Sequence, residues 1–288
     1  MKFLIGADPE VFAVQSNGQI VSAHKLNIPG TKKEPFPVSN GAVQVDGTAL
    51  EVNITPASNA DEFVSNITSV LSSLKGMLPQ DTSLSPSVTA RFYDIGNYPE
   101  ETRMLGCDPD FDAYLAAQNP PLDAKSLGTA RYVGGHVHIG WTKDEDVSNF
   151  EHFQSCITLT KQLDCSLYLA SLLWDRDIER KQYYGRIGQF RPKPYGVEYR
   201  SLSNTWIHDK KLVRLVYNIV DQAIKLYIDK DVFLPNVYSK HAVIASALDL
   251  FYSRPRQVRQ ARLISYYKSL PYLWPMIKEW VEEEKGAA

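Results

Sequence analysis

Gly134-Gly135-His136-Val137-His138-Ile139-Gly140-Trp141 is the stretch on which the reading of this chain turns. As a strand it alternates: His136 and His138 share one face, and Val137, Ile139 and Trp141 share the other. Two neighbouring imidazoles make a poor apolar face, because each buried ring nitrogen needs a partner. They suit a wet, functional face, since histidine is the commonest metal ligand. Gly134, Gly135 and Gly140 leave room for a ligand beside the backbone. Alone, the stretch fits an ordinary strand with two satisfied histidines just as well, so the rest of the chain decides.

Toward the N-terminus, Gly6-Ala7-Asp8-Pro9-Glu10-Val11-Phe12 places Asp8 and Glu10 on one strand face. Two carboxylates there repel unless a cation lies between them. Pro9 cannot donate to a ladder, so the strand predicted over 2–14 is an edge, bulged or irregular at that point. Ala42–Val45 and Leu50–Ile54 read as a hairpin through Asp46-Gly47-Thr48, with Glu51 and Asn53 on one face. Toward the C-terminus, Tyr195–Leu202 alternates so that Glu198 and Arg200 share a face. Between Arg176 and Arg200 lie seven basic residues against three acidic ones, with Gly185, Gly188 and Gly196 breaking any helix. That segment is either a solvated charged loop or one that lays guanidinium groups on phosphates.

The remaining pattern is helical. Ser58 or Asn59 caps a helix running to about Met77, and Phe150–Trp174 reads as one long helix with His152 on its surface. Trp206–Tyr227 is amphipathic, and Ala242–Trp280 is helical with breaks at Pro255, Pro271 and Pro275. Arg256, Arg259 and Arg262 read as a solvated face. Cys107-Asp108-Pro109-Asp110-Phe111-Asp112 lacks the register of an EF-hand loop and reads as turn chemistry.

The 288 residues suit one large domain or two small ones; with 44% hydrophobic and 22% charged residues the chain is ordinary globular protein. A net charge of -2 gives no sign of a nucleic-acid or membrane partner. There is no transmembrane-length apolar run and no signal-peptide core, and the three cysteines have no metal spacing, which predicts a cytoplasmic protein with reduced thiols.

Asp8 and Glu10, Glu51, His136 and His138, and Glu198 and Arg200 thus come from four separate strands, each with its charged groups on one face. So many charges cannot be buried unpaired, which implies a sheet whose charged face is a site. Carboxylates mixed with histidine suit Mg²⁺ or Mn²⁺ better than zinc. Arginines beside such metals point to a phosphate-bearing substrate, with ATP first in line.

The ordered set of motifs resembles the glutamine synthetase and glutamate–cysteine ligase superfamily. Its pieces are Gly6-x-Asp8-Pro9-Glu10-Val11-Phe12, the Glu51 strand, Gly135-His136-Val137-His138 and Glu198-Tyr199-Arg200. The similarity is closest to the amidoligase branch, the phage-associated COOH–NH2 ligases of type 2. It runs over 3–206 by motif order and includes Gly106-Cys107-x-Pro109-Asp110-Phe111-Asp112-Ala113-Tyr114. The resemblance implies an α+β fold, a glutamine-synthetase-like funnel of antiparallel sheet with helices outside, formed by one catalytic domain over 1–288: a sheet-bearing core over 1–206 and a mainly helical part over 207–288. It implies an ATP-dependent ligase joining a small-molecule or peptide carboxylate to an amine through an acyl phosphate, in the cytoplasm, or the host cytoplasm if phage-encoded. Asp8, His136 and Glu198 would hold the nucleotide-side metal, and Glu10 and Glu51, with Asp46, the substrate-side metal. Asp8 stands where the superfamily has Glu, so its metal would sit closer or bind through water. Arg200 would reach the transferring phosphoryl group, with Arg186, Arg191 and Lys193 on the nucleotide phosphates and Arg191 also close to the chemistry; His138 would orient the acyl phosphate or the carboxylate. The competing readings are a metal-dependent hydrolase, a guanido-kinase-like phosphotransferase and a catalytically silent binding module.

Overall fold

The computed structural model describes residues 2–103, 109–121, 124–228 and 256–286. The predicted helical residues 242–255, and Cys107 and Asp108 of the acidic patch, lie outside the described residues. The chain is a mixed α+β protein whose sheets are antiparallel, with no closed barrel among the described residues.

The first strand, β1 (Leu4–Ala7), pairs with β13 (Val137–Gly140), which pairs with β15 (Gly196–Tyr199) and through it with β14 (Gln189–Lys193). A short hairpin, β10 (Phe111–Asp112) and β11 (Ala117–Gln118), completes this six-stranded sheet, so the predicted irregular stretch over 99–121 contains a hairpin. Strand pairing sets the two faces. Val137 lies opposite Tyr199 and Ile139 opposite Val197, and all four are fully buried in the core. One residue along, Gly6, His138, Glu198 and Arg191 fall in register across four strands on the other face.

At Asp8-Pro9 the chain changes sheets. Strand β2 (Glu10–Val11) pairs with β7 (Ala49–Ile54), which continues into β6 (Gly41–Asp46) and the edge strand β5 (Phe36–Val38). Pro9, which has no N–H to give, instead accepts from the Val52 N–H at 3.1 Å. The segment 29–37, predicted as loop, therefore ends in an edge strand, where Pro37 is tolerated.

Helix α1 (Ala60–Met77) starts at Asn59, whose side chain accepts the Glu62 N–H at 2.9 Å, as its sequence predicts. Phe63, Ile67, Val70 and Leu74 bury one face of it, with Phe63 stacked on Trp206 and tilted against Tyr217. Four such side chains contribute roughly 8 kcal/mol of gross apolar transfer free energy. The predicted long helix is present and ends three residues short of Trp174: α2 (Phe150–Leu163) runs through a π-turn over Asp164–Tyr168 into a last helical turn over Leu169–Ser171. His152 is buried, not on the surface, and its Nε2–H donates to the Lys193 carbonyl at 3.0 Å. The basic segment is also not a plain loop, because α3 (Ile178–Tyr183) precedes β14 and buries Arg180 and Lys181. Helix α4 (Lys210–Ile228) packs on α1, and α5 (Arg256–Lys268) and α6 (Trp274–Gly286) follow.

Candidate functional site

Asp8, His138 and Glu198 each present a ligand atom, all within 4.8 Å of one another. His138 Nε2 lies 2.9 Å from Asp8 Oδ1, yet both atoms are buried without a well-aligned hydrogen bond. Orphaned buried polar atoms are costly unless something satisfies them. An oxygen–nitrogen–oxygen set of this kind fits Mg²⁺ or Mn²⁺. His136 Nδ1 lies at the edge of the same spot, 3.2 Å from Asp8 Oδ1 and 3.7 Å from Glu198 Oε1. The two histidines therefore do share a face, although His136 precedes the strand proper. Gly134 is needed there, since a Cβ would stand 2.2 Å from His136 Nε2.

The face is less wet than its residue types suggest: His136 is 2% and Glu198 1% exposed. Cations make this tolerable. Arg200 Nη1 contacts Glu198 Oε1, Arg191 Nη1 lies 3.1 Å from both Glu198 oxygens, and Lys193 Nζ lies 2.9 Å from Oε2. Burial alone would raise Glu198, but Arg200, the two histidines and Arg191 hold it well below the usual carboxylate range. Burial likewise opposes the ionisation of Asp8, and His138 and His136 outweigh it, leaving Asp8 low. His138 is correspondingly raised: burial lowers it, and the Asp8 carboxylate more than compensates.

A second acidic cluster adjoins the first. Glu10 and Glu51 stand opposite each other on β2 and β7. Burial raises Glu51 well above its ordinary range, and Asp8, Asp46 and Glu10 push it further. Burial and Asp46 raise Glu10, against the pull of His136, the Gly134 N–H and Arg200. Carboxylates that raise one another in this way repel, with Asp46 adding to the repulsion. Among the described residues only Asp8, His138 and Glu198 bring three ligand atoms tightly together.

Of the residues proposed from sequence, Asp8, Glu10, Glu51, His136, His138, Glu198, Arg191, Lys193 and Arg200 come together. Arg186 does not: its guanidinium turns back to the Gln182 carbonyl at 2.8 Å. Three participants went unread. Tyr184 touches Glu10, His136 and Arg200, Tyr195 touches His138 Nδ1, and Asp110 lies 3.8 Å from Arg200 Nε. Asp110 sat in a patch assigned to turns, and a tyrosine carries no sequence signal separating core from site.

Residues 124–261 match the family model described as phage phiEco32-like COOH.NH2 ligase-type 2. The matched segment holds His136, His138, Arg191, Lys193, Glu198 and Arg200, while Asp8, Glu10 and Glu51 precede it. None of the curated proteins matches the chain. Among solved structures it is similar to a bifunctional glutathione synthetase from Pasteurella multocida, at 12% identity and a TM-score of 0.49, over 96% of this chain and 46% of that one. The chain thus spans less than half the length of that protein. Over its central and later part, this chain is similar to the type 2 COOH.NH2 ligases.

Proposed function

We propose that the protein is an ATP-dependent ligase that joins a carboxylate to an amine through an acyl phosphate. The observation that carries this reading is the row His138–Glu198–Arg191 with Asp8, Lys193 and Arg200: a cation-binding set directly beside three positive groups. Three cations around Glu198, one of them also near Asp110, outnumber these two carboxylates, and a polyphosphate would take the remaining charge. The family match over residues 124–261 supports the same chemistry. The reading takes the whole chain as one catalytic domain, with its two main sheets in a glutamine-synthetase-like funnel that meets at Asp8-Pro9-Glu10.

Asp8, His138 and Glu198, with His136 at their edge, would hold Mg²⁺ or Mn²⁺, and Glu10, Glu51 and Asp46 a second ion. Bound there, the metal supplies neutralisation of phosphate charge. Arg191 and Lys193 orient the nucleotide phosphates. Arg200 faces the oxygens of the γ-phosphoryl group as its bond to ADP breaks and a bond to the substrate carboxylate oxygen forms. A carboxylate is otherwise a poor acyl donor, because oxide would have to leave. The amine then attacks the acyl carbon, phosphate departs with the C–O bonding pair, and the amine loses a proton. With Nε2 beside Asp8 and Nδ1 on the Tyr195 hydroxyl, His138 has no ring nitrogen left to orient the acyl group and would serve as a ligand of the metal set.

The test is a screen for Mg²⁺-dependent ADP release against paired carboxylic acids and amines. Release that requires both partners is expected. Turnover of an amide or ester without nucleotide would favour the metal-dependent hydrolase instead.

A further inference from the structure

Tyr184 lies outside every motif that points to the site, yet its hydroxyl is where the two acidic clusters meet. Its oxygen is 3.1 Å from Arg200 Nη2, 2.9 Å from His136 Nε2 and 3.2 Å from Glu10 Oε1. The ring is held from both sides. It meets the His136 ring edge-on, with centroids 5.8 Å apart, and the Arg180 guanidinium lies 4.9 Å from its centre. Arg180 is itself fully buried and donates to the Val133 and Leu202 carbonyls at 2.7 and 2.8 Å. Val133 lies four residues before β13 and Leu202 three residues after β15. Gly185, at φ +71°, lets the chain pass over this guanidinium, since a Cβ there would stand 2.2 Å from Nη1.

A phenol has one proton and two lone pairs. Arg200 only donates, so it takes one lone pair. Glu10 Oε2 already accepts the Gly134 N–H at 2.6 Å, and Oε1 faces the phenol as an acceptor. With the phenol proton directed to Glu10, the second lone pair takes an Nε2–H from His136. His136 Nδ1 then offers its own lone pair beside Asp8 Oδ1 and Glu198 Oε1. Three acceptors around one point are satisfied by a cation.

We propose that Tyr184 is the positioning residue of this site: its hydroxyl fixes His136 as the Nε2–H tautomer and so aims Nδ1 at the cation shared by Asp8 and Glu198, while tying Glu10 and Arg200 to the same network. The proposal rests on the metal–nucleotide reading above and names how its ligand is oriented, the role outer partners of metal-bound histidines play generally.

Two measurements test it. In wild-type protein loaded with Mg²⁺ and ATP, ¹⁵N-histidine NMR should show His136 protonated at Nε2 and not at Nδ1. In Tyr184→Phe, which keeps the ring and its packing, Mn²⁺ affinity read by electron paramagnetic resonance with ATP present should fall about 10- to 100-fold. Circular dichroism and melting temperature should stay close to wild type, which separates positioning from folding. An Nδ1–H tautomer in the loaded wild type overturns the proposal even if the variant does not fold. Wild-type Mn²⁺ affinity in a folded Tyr184→Phe also overturns it while leaving the metal–nucleotide reading intact. A wild-type protein that takes up no Mn²⁺ removes that reading, and this proposal with it.

Discussion

Asp164, in the π-turn after α2, offers a quantitative test of how the site strand is supported. Its side chain is fully buried, and Oδ1 accepts the hydroxyl of Tyr199, the residue between Glu198 and Arg200, at 2.7 Å. Burial pushes this carboxyl from its ordinary 3.8 up to about 7, although Tyr199, the Gly188 N–H and Tyr114 each favour the charged form. A raised carboxyl means that the folded protein holds its proton more tightly than the unfolded chain. The contribution to stability is therefore complete below about pH 4 and is lost as the pH rises through about 7. A shift of about three units corresponds to about 4 kcal/mol lost across that window. Asp164→Asn stays neutral, keeps an acceptor for Tyr199 and mimics the protonated acid. Urea unfolding followed by circular dichroism from pH 4 to 8.5 should show the variant equal to wild type at pH 4 and up to about 4 kcal/mol more stable at pH 8.5. Parallel curves, or a variant less stable at pH 8.5, would mean that a partner holds the carboxylate ionised and would refute the reasoning.

Glu198→Gln leaves Arg191, Lys193 and Arg200 without their shared carboxylate in a buried setting, so it should cost about 3–5 kcal/mol in urea unfolding as well as weakening nucleotide–metal binding. Unchanged stability would show that these cations reach water or other partners. Arg200→Lys keeps the charge and loses the planar fork. ATP affinity should stay within a few-fold while saturated ADP release falls about 10²-fold, and equal losses in both would make Arg200 a ground-state anchor. Burial and neighbouring carboxylates raise Glu51, so its ionisation destabilises the metal-free protein as pH rises. Glu51→Gln should therefore raise metal-free stability at pH 8 in urea unfolding, and a lowered value would reveal a cationic partner for Glu51.

Much of the charged face was legible because strand alternation assigns faces locally. His136 with His138, Glu198 with Arg200, and Glu51 each fall where alternation places them, and Pro9 marks the point where the chain leaves one sheet for another. The cross-strand row Gly6–His138–Glu198–Arg191 was not legible, since register between distant strands comes from tertiary pairing. The resemblance assigns His136 to the first metal with Asp8 and Glu198, whereas in the structure both histidines touch Asp8 and His138, not His136, completes the tightest set. His152 looked like a surface residue because a histidine in an amphipathic helix suits either face, and the Lys193 carbonyl that claims it is 41 residues away. Arg180 reads from sequence as one more charge in a basic loop, but the Val133 and Leu202 carbonyls and the Tyr184 ring give it a buried seat. No helix among the described residues is long and apolar enough to cross a membrane.

The central claim is that Asp8, His138 and Glu198, with the surrounding arginines and lysine, bind a metal–polyphosphate. Isothermal titration of the wild-type protein with ATP, with and without Mg²⁺, tests it most directly. Saturable heat that requires Mg²⁺ is the predicted result. No heat at millimolar ATP and Mg²⁺, or equal binding when the metal is chelated, would contradict it.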